Sequence, residues 1–243
     1  MKKYFVVSDV HSFYNEMIEA LAAAGYDKNN PNHIFVSLGD LFDRGPDTVK
    51  CLNFVTSLSD DRKILIRGNH EDLLEEVFRR GYFDRCDIHN GTDLTFAQLA
   101  NTDNREESIA ICRYNEDLKR YLYDCRNYYE VGNNIFVHGW VPADYDVDNG
   151  WAIRDNWREA KKWDWEAARW FNGMSVWAFG GEVEGKTVWC GHWHSAWGHK
   201  YLHGFDEIRY DIFSDKGIKC LDACTVLSHK VNVGVIKINE NFC

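Results

Sequence analysis

Polar side chains of the kinds that bind metal ions follow five short apolar runs in this sequence of 243 residues. They are Asp9, His11, Asp40, Asp43, Asn69, His70, His138, His192 and His194. Carboxylate oxygens, amide oxygens and imidazole nitrogens form the ligand set of divalent transition metals of intermediate hardness. Turn formation explains a single Asp or Asn after a strand, but not the recurrence of such residues after every run. The sequence therefore indicates a site for divalent metal ions.

The spacing within this set is also compatible with metal binding. Asp9 and His11 are two positions apart, as are His192 and His194. In an extended backbone, residues two apart point to the same side, so each pair is expected to face one site. A carboxylate such as that of Asp40 can bridge two metal ions that lie about 3.5–4 Å apart, as in two-metal hydrolytic sites.

The five apolar runs have the length and composition of buried β-strands. Each is rich in β-branched and aromatic side chains and leads into a polar or glycine-containing turn. The runs are 4–7, 33–37, 63–66, 134–137 and 186–189. If these strands share one sheet, the polar residues gather at its carboxyl edge, where open α/β sheets bind ligands.

Helical patterns follow the first three runs, at 13–24, 47–58 and 71–80. Ser12 is the expected N-cap of the first helix, and Gly25 follows the end of that helix. The alternation of strands and helices predicts an α/β fold.

The remaining segments are assigned from the same patterns. Residues 84–130 are predicted to be mainly helical, with 106–124 as the clearest helix. Short strands are predicted at 207–213, 218–222 and 231–238. Because the sequence shows neither a repeat nor a linker, we expect a single domain over residues 1–243.

Tryptophan is unevenly distributed along the chain. All ten tryptophans fall between Trp140 and Trp197, and the first 139 residues contain none. We interpret about 140–186 as a helical excursion from the fold. It either buries its own aromatic cluster or forms an aromatic wall beside the active site that stacks a nucleobase or flanks a peptide.

Charge and composition restrict the possible partners. The chain has 28 Lys and Arg against 38 Asp and Glu, a net charge of −10, which opposes binding to duplex nucleic acid. A small anionic substrate remains compatible, since metal ions or local arginines can hold phosphate. The first apolar run is too short for a signal peptide, and no run is long enough to span a membrane. We expect a cytoplasmic protein whose eight scattered cysteines are reduced.

Five sequence blocks, in order, resemble the calcineurin-like metallophosphoesterases: DVH, GDLFDRG, GNHE, HG and GHWH. GDLFDRGP and RGNHE resemble the phosphoprotein-phosphatase branch in particular, which also contains bacterial diadenosine tetraphosphatases. The resemblance extends from Asp9 to His194. It implies a four-layer α/β/β/α fold, in which helices flank a β-sandwich of two mixed sheets and a dinuclear metal site lies at the carboxyl ends of the strands.

The resemblance also implies a role for each matching residue. The implied metal ligands are Asp9, His11, Asp40, Asn69, His138, His192 and His194, and Asp40 bridges the two ions. His194 matches the second histidine of the GHxH form of the wider superfamily, where it completes the first site. The cofactors are two divalent ions, with manganese expected. Iron, zinc, cobalt and nickel are alternatives, because mixed nitrogen and oxygen ligands accept each of them.

For catalysis, the resemblance implies that His70, paired with Asp43, protonates the leaving alkoxide, and that Arg44 grips the phosphate. The candidates for a second phosphate-binding arginine are Arg154, Arg158 and Arg169, and Arg169 matches best.

These roles predict hydrolysis of phosphate monoesters, such as phosphoserine or phosphothreonine in proteins, by hydroxide that two metal ions make available near neutral pH. The alternatives are a hydrolase of dinucleoside polyphosphates, of the bis(5'-nucleosyl)-tetraphosphatase type, and a phosphodiesterase. A non-catalytic binding module is a further alternative, which the intact set of matching residues opposes. The expected partner is a phosphorylated small molecule, a phosphoprotein or a dinucleoside polyphosphate.

Overall fold

Eleven strands form two mixed sheets and a hairpin in the computed structural model, which describes residues 1–239. In chain order they are β1 (Lys2–Val7), β2 (His33–Ser37), β3 (Lys63–Leu65), β4 (Tyr129–Val131), β5 (Asn134–Phe136), β6 (Ala143–Asp146), β7 (Gly150–Ile153), β8 (Thr187–Cys190), β9 (Phe213–Asp215), β10 (Ile218–Cys220) and β11 (Gly234–Ile238).

Eleven α-helices lie between these strands. They are α1 (Tyr14–Ala23), α2 (Thr48–Thr56), α3 (Asn69–Arg80), α4 (Arg85–Asn90), α5 (Thr92–Ala100), α6 (Arg105–Cys112), α7 (Glu116–Asp124), α8 (Lys162–Ala168), α9 (Gly173–Ala178), α10 (Ser195–Tyr201) and α11 (Thr225–Ser228). Two short 3₁₀ helices lie at Asp60–Arg62 and Trp157–Glu159. None of the helices in residues 1–239 has the length and apolar character needed to cross a membrane.

The five predicted strands exist, but they divide between two sheets and do not share one. The first sheet has the order β11-β1-β2-β3, with β1, β2 and β3 parallel. The second has the order β4-β5-β8-β10-β9, with β5, β8 and β10 parallel. The expected site residues therefore come from the strand ends of both sheets.

The two sheets pack face to face through alternating side chains. Tyr4 and Val6 of β1 pack with Phe136 of β5 and Trp189 of β8 in one buried cluster. Phe5, between them in sequence, lies on the opposite face of its sheet. This two-residue alternation is what a strand with both faces covered requires.

A helical layer covers the outer face of each sheet. On the first sheet, Phe5 packs in a cluster with Met17 of α1 and Leu74 of α3. On the second, Val188 of β8 packs in a cluster with Trp165 of α8. The order helix, sheet, sheet, helix is the four-layer α/β/β/α fold that the resemblance implied.

Two predicted helical features differ from the structure. The first helix begins at Tyr14 without a side-chain cap, and Ser12 instead hydrogen-bonds the hydroxyl of Thr48 at 2.9 Å. The long helix predicted at 106–124 is two helices, α6 and α7. A new helix begins after Asn115, because the side chain of Asn115 accepts a hydrogen bond from the backbone N–H of Leu118 and caps α7.

The predictions for the second half of the chain also need correction. Residues 207–212 are irregular, so the strand predicted at 207–213 is wrong except at Phe213, where β9 begins. The excursion at about 140–186 is not wholly helical, because it opens with the antiparallel hairpin of β6 and β7. Asp146 stabilises the turn of this hairpin, since its carboxylate accepts hydrogen bonds from the backbone N–H groups of Asp148 and Asn149.

Candidate metal centre and substrate cleft

The backbone adopts left-handed conformations at three of the strand ends that contribute to the site, those of β1, β2 and β8. Asp9, His11, Asp40 and His192 have φ values of 51°, 49°, 54° and 65°, in the left-handed region. The prediction that Asp9 and His11 form an extended pair is therefore wrong. Such strained residues cost about 1–3 kcal/mol each and persist at functional sites where the surrounding structure fixes them.

Glycine is required where the loops of the site approach each other. Gly39 has a φ of 103°, and a Cβ atom there would lie 2.6 Å from the nitrogen of Gly68 and 2.9 Å from Nδ1 of His138. A Cβ on Gly191 would collide with the side chains of Ser8 and Asp9. These glycines allow the β2 loop to approach the β3 and β5 loops, and the β8 loop to approach the β1 loop.

Two groups of buried or half-buried side chains converge on one carboxylate. His11, Asp40 and His70 form one group, and Asp40, His138 and His192 form the other. The possible ligand atoms within each group all lie within 4.8 Å of one another. Asp40 belongs to both groups, and a shared carboxylate is the arrangement that bridges two metal ions.

The contacts of His138 test whether these residues fit a cation. Its Nδ1 donates to the carbonyl of Leu38 at 2.8 Å, while its Nε2 lies 2.8 Å from Oδ1 of Asn69 and 3.4 Å from Asp40. Burial alone lowers the pKa of His138, but Asp40 and Asp9 raise it to about 10. Nε2 of His138 and the oxygens of Asn69 and Asp40 therefore share a cation. In the metal-free protein this cation is the proton on Nε2. A divalent ion can take the place of that proton, so the residues fit a metal.

His11 presents the complementary arrangement. Its Nδ1 donates to the carbonyl of Phe42 at 3.0 Å, which leaves the lone pair of Nε2 toward the site. Burial, together with His70 and Arg44, holds the pKa of His11 well below its usual range. For Asp40, burial alone would raise the pKa, but the surrounding histidines hold it well below the usual value. A neutral imidazole and an ionised carboxylate are the forms that bind metal.

Three expected ligands have different surroundings. Asp9 is buried and accepts hydrogen bonds from Ser8 and from the backbone N–H of His192, but it lies in neither convergent group. Burial and the charge of Asp40 raise the pKa of Asp9 to about 6. Burial and the charge of His138 lower the pKa of His192 to about 3. His194 is exposed and lies in neither group, so the structure places it at the cleft rather than among the convergent ligands.

His70 and Asp43 form the expected pair. Nδ1 of His70 lies 2.7 Å from Oδ2 of Asp43. The hydroxyls of Thr92 and Thr95 also donate to Asp43, at 2.8 and 2.6 Å, so this fully buried carboxylate is held in place. Burial lowers the pKa of His70, but Asp40 and Asp43 more than compensate and raise it above its usual value.

The two expected phosphate-binding arginines differ in exposure. Arg44 is exposed. Its Nη1 lies 3.0 Å from Nε2 of His11, and its Nη2 lies 3.0 Å from Nε2 of His70. Arg169 is buried and donates to Asp72 at 2.7 Å and to Asn127 at 2.6 Å. Arg169 does not line the cleft in this structure. Arg154 and Arg158 also pair with carboxylates, those of Asp144, Asp164 and Glu130.

A cleft of about 420 Å³ opens onto these residues. Its lining includes His11, Arg44, Trp170, His192, Trp193, His194, Asp222, Cys224, Thr225 and Val226. Trp170 and Trp193 are 51% and 39% exposed, whereas Trp140, Trp157 and Trp165 are buried. Most tryptophans of the excursion therefore pack in a core, as the first interpretation expects, and Trp170 lines the cleft.

Sequence reasoning missed two buried acidic groups at the site. Asp222 follows β10 and lines the cleft, where burial and the charge of Asp9 raise its pKa well above the usual value. Glu71 is fully buried and accepts hydrogen bonds from the backbone of Asp40 and Leu41. Glu71 is part of the GNHE block and Asp222 ends the strand predicted at 218–222, so both positions were possible signals.

A shared aspartate between two histidine groups, beside a cleft at the ends of two sheets, defines a site of the kind that binds metal ions. The chain belongs to the calcineurin-like phosphoesterase family, whose model matches residues 2–230.

The chain is similar to two proteins of named activity and to a solved structure. It is 27% identical to the asymmetrical bis(5'-nucleosyl)-tetraphosphatase PrpE of Bacillus velezensis over 154 residues, which are 58% of this chain and 57% of that protein. It is 35% identical to serine/threonine-protein phosphatase 1 of Salmonella typhimurium over 69 residues, 28% of this chain and 30% of that protein. The matches thus span 30% to 57% of these relatives. A putative diadenosine tetraphosphatase structure shares the fold, with a TM-score of 0.56, 16% identity and coverage of 97% of this chain and 89% of that chain.

We expect metal binding to become tighter as the pH rises. At about pH 7, His138 (pKa about 10) is protonated and must release a proton to bind metal, whereas His192 (pKa about 3) is already neutral. Affinity should therefore rise about tenfold per pH unit between about pH 6 and pH 10, above which His138 is already neutral. Below the pKa of Asp9, about 6, a second proton competes and the dependence steepens.

Isothermal titration calorimetry of the metal-free protein with Mn²⁺, in two buffers of different ionisation enthalpy, measures this proton release. Heats at about pH 7 that do not depend on the buffer would contradict the protonation of His138.

Proposed function

We propose that this chain hydrolyses phosphate monoesters with two divalent metal ions bound around Asp40. The observation that supports this most directly is the membership of Asp40 in both ligand groups, beside a cleft lined by Arg44. We propose Asp9, His11, Asp40, Asn69, His138 and His192 as the ligands. Manganese is the expected ion, with iron, zinc, cobalt and nickel as alternatives.

Divalent ions held at this position would supply Lewis acidity to phosphate oxygens and would make water nucleophilic near neutral pH. Because Asp40 belongs to both ligand groups, its carboxylate fixes their relative position. Arg44 donates to the phosphate oxygens, because its planar guanidinium matches the geometry of phosphate and remains charged. It compensates the negative charge of the equatorial oxygens in the transition state.

His70 supplies the proton that the leaving oxygen needs. Asp43 holds Nδ1–H of His70, so Nε2 is the atom from which the proton is transferred. The raised pKa of His70 favours the protonated form that can act as an acid. The cysteine thiols play no part in this scheme, since water attacks phosphorus directly.

A second candidate function is hydrolysis of dinucleoside polyphosphates. Trp170 and Trp193 are the observation that favours it, because both expose indole surface in the cleft. The Trp170 ring lies 5.4 Å from that of His192, edge to face, and so next to a proposed ligand. Stacking of a base on an aromatic side chain contributes about 1–3 kcal/mol. The names of relatives divide between tetraphosphatases and a protein phosphatase.

The test uses metal-stripped protein reloaded with manganese, with Asp40→Asn protein as the blank. The substrates are p-nitrophenyl phosphate, a phosphoserine peptide, diadenosine tetraphosphate and bis-p-nitrophenyl phosphate. Turnover of the aryl monoester or the peptide above the other two supports the proposal. A strong preference for the dinucleotide selects the second candidate, and preference for the diester selects a phosphodiesterase. Inactivity toward all four favours a non-catalytic binding module.

A further inference from the structure

The carboxylate of Glu71 is surrounded by hydrogen-bond donors. Oε2 accepts from the backbone N–H of Asp40 at 3.0 Å and of Gly68 at 2.7 Å. Oε1 accepts from the backbone N–H of Leu41 at 3.2 Å and from the hydroxyl of Tyr121 at 2.7 Å. A carboxylate has about four lone-pair sites, so these four donors satisfy it.

Tyr121 is the one side chain among these four donors. It belongs to α7, whose sequence lies outside all five motif blocks, and it is 2% exposed. Its ring also packs edge to face on Phe42, with centroids 4.8 Å apart. The carbonyl of Phe42 accepts the hydrogen bond of the proposed ligand His11. Tyr121 therefore contacts Phe42, which supports His11, as well as Glu71, which supports Asp40.

The segment that Tyr121 supports is strained and needs such support. Asp40, Asp43 and Arg44 all have positive φ values, of 54°, 71° and 65°, although none of them is a glycine. The backbone N–H groups of Asp40 and Leu41 donate hydrogen bonds to Glu71, and these bonds hold the first part of this segment. Residues in this region of φ persist only where surrounding groups fix them, so each bond to the loop matters for its geometry.

We propose that Tyr121 is a positioning residue for the metal centre, which acts through Glu71 on the bridging carboxylate of Asp40. This inference rests on the metal site proposed above. Loss of the hydroxyl leaves one lone pair of Glu71 unpaired in a buried position and loosens the backbone that presents Asp40. Groups that support ligands in this way typically affect metal affinity about 10- to 100-fold.

The test measures Mn²⁺ binding to metal-free protein by calorimetry, with thermal unfolding of the same samples. Tyr121→Phe removes only the hydroxyl, and we expect Kd to rise about 10- to 100-fold. Tyr123→Phe is the matched control, since Tyr123 lies on the same helix but is 89% exposed. Leu122→Val is a second control that weakens the packing of α7 and keeps the hydroxyl of Tyr121 that donates to Glu71. Both controls should keep Kd within about twofold of the wild type.

Each result decides the inference. An unchanged Kd for Tyr121→Phe, with normal binding by the wild type, overturns the positioning role and leaves the metal site intact. Equal weakening by Leu122→Val and Tyr121→Phe also overturns it, because general loosening of α7 then explains the effect. A wild-type protein that binds no Mn²⁺ removes the proposed metal site and the inference with it.

Discussion

Replacement of Asp40 by asparagine is expected to abolish two-metal binding and nearly all activity. The substitution keeps the size of the side chain but removes the negative charge that both ligand groups share. Oδ1 of Asp40 also accepts a hydrogen bond from the backbone N–H of His70 at 3.0 Å, so the carboxylate links the ligands to the proposed acid. Metal ions contribute several kcal/mol to the transition state, which corresponds to a loss of at least about 10³-fold in kcat/KM.

Asp47→Asn is the matched control for this variant. Asp47 belongs to the same stretch of chain, but its carboxylate pairs with the exposed Lys50 at 2.7 Å and lies in neither ligand group. Calorimetry with Mn²⁺ and kcat/KM for p-nitrophenyl phosphate are measured on both variants and on the wild type. Retention of two tightly bound ions by Asp40→Asn would contradict the bridging role of this residue.

The second large effect is expected for His70→Asn, and it depends on the leaving group. Without a proton donor, alkyl phosphates should slow about 10²- to 10⁴-fold, the usual contribution of general acid catalysis. Activated aryl phosphates should slow far less, because their leaving oxygens need little protonation. The measurement is kcat/KM for a series of esters of increasing leaving-group pKa, compared between the variant and the wild type.

His70 also lies within one of the convergent ligand groups, so the same variant separates two roles. A general acid can be replaced with full metal content retained, whereas a ligand cannot. His203→Asn is the control, since this exposed histidine pairs with Asp215 and does not line the cleft. Equal slowing of alkyl and aryl esters, or loss of a metal ion from His70→Asn, would show that His70 does not act as the acid.

The sequence by itself determined the main elements and the residue types at their ends. The strands at 4–7, 33–37, 63–66, 134–137 and 186–189 are all present within one or two residues. Their short apolar runs are a local signal, and burial on both faces of a sandwich requires such runs. The blocks between Asp9 and His194 identified the family in the same way, because they lie in unbroken local stretches.

Patterns of side chains did not reveal the backbone conformation at the site. Asp9 and His11 alternate as residues of an extended strand do, yet both have positive φ values. The reason is tertiary, because their backbone N–H groups bond the carbonyls of Gly39 and Asp40 in the neighbouring loop. The irregular course of 207–212 is likewise not encoded by apolar spacing alone.

Only the tertiary structure decided which candidate residues meet. Arg169 matched a phosphate-binding arginine in sequence, but packing places its guanidinium against Asp72, 97 residues away. Tyr121 has no motif, but α7 packs so that its hydroxyl reaches Glu71, 50 residues away. Strands and turns depend on neighbours in the sequence, whereas these contacts depend on how the layers of helix and sheet pack, and sequence spacing does not specify that packing.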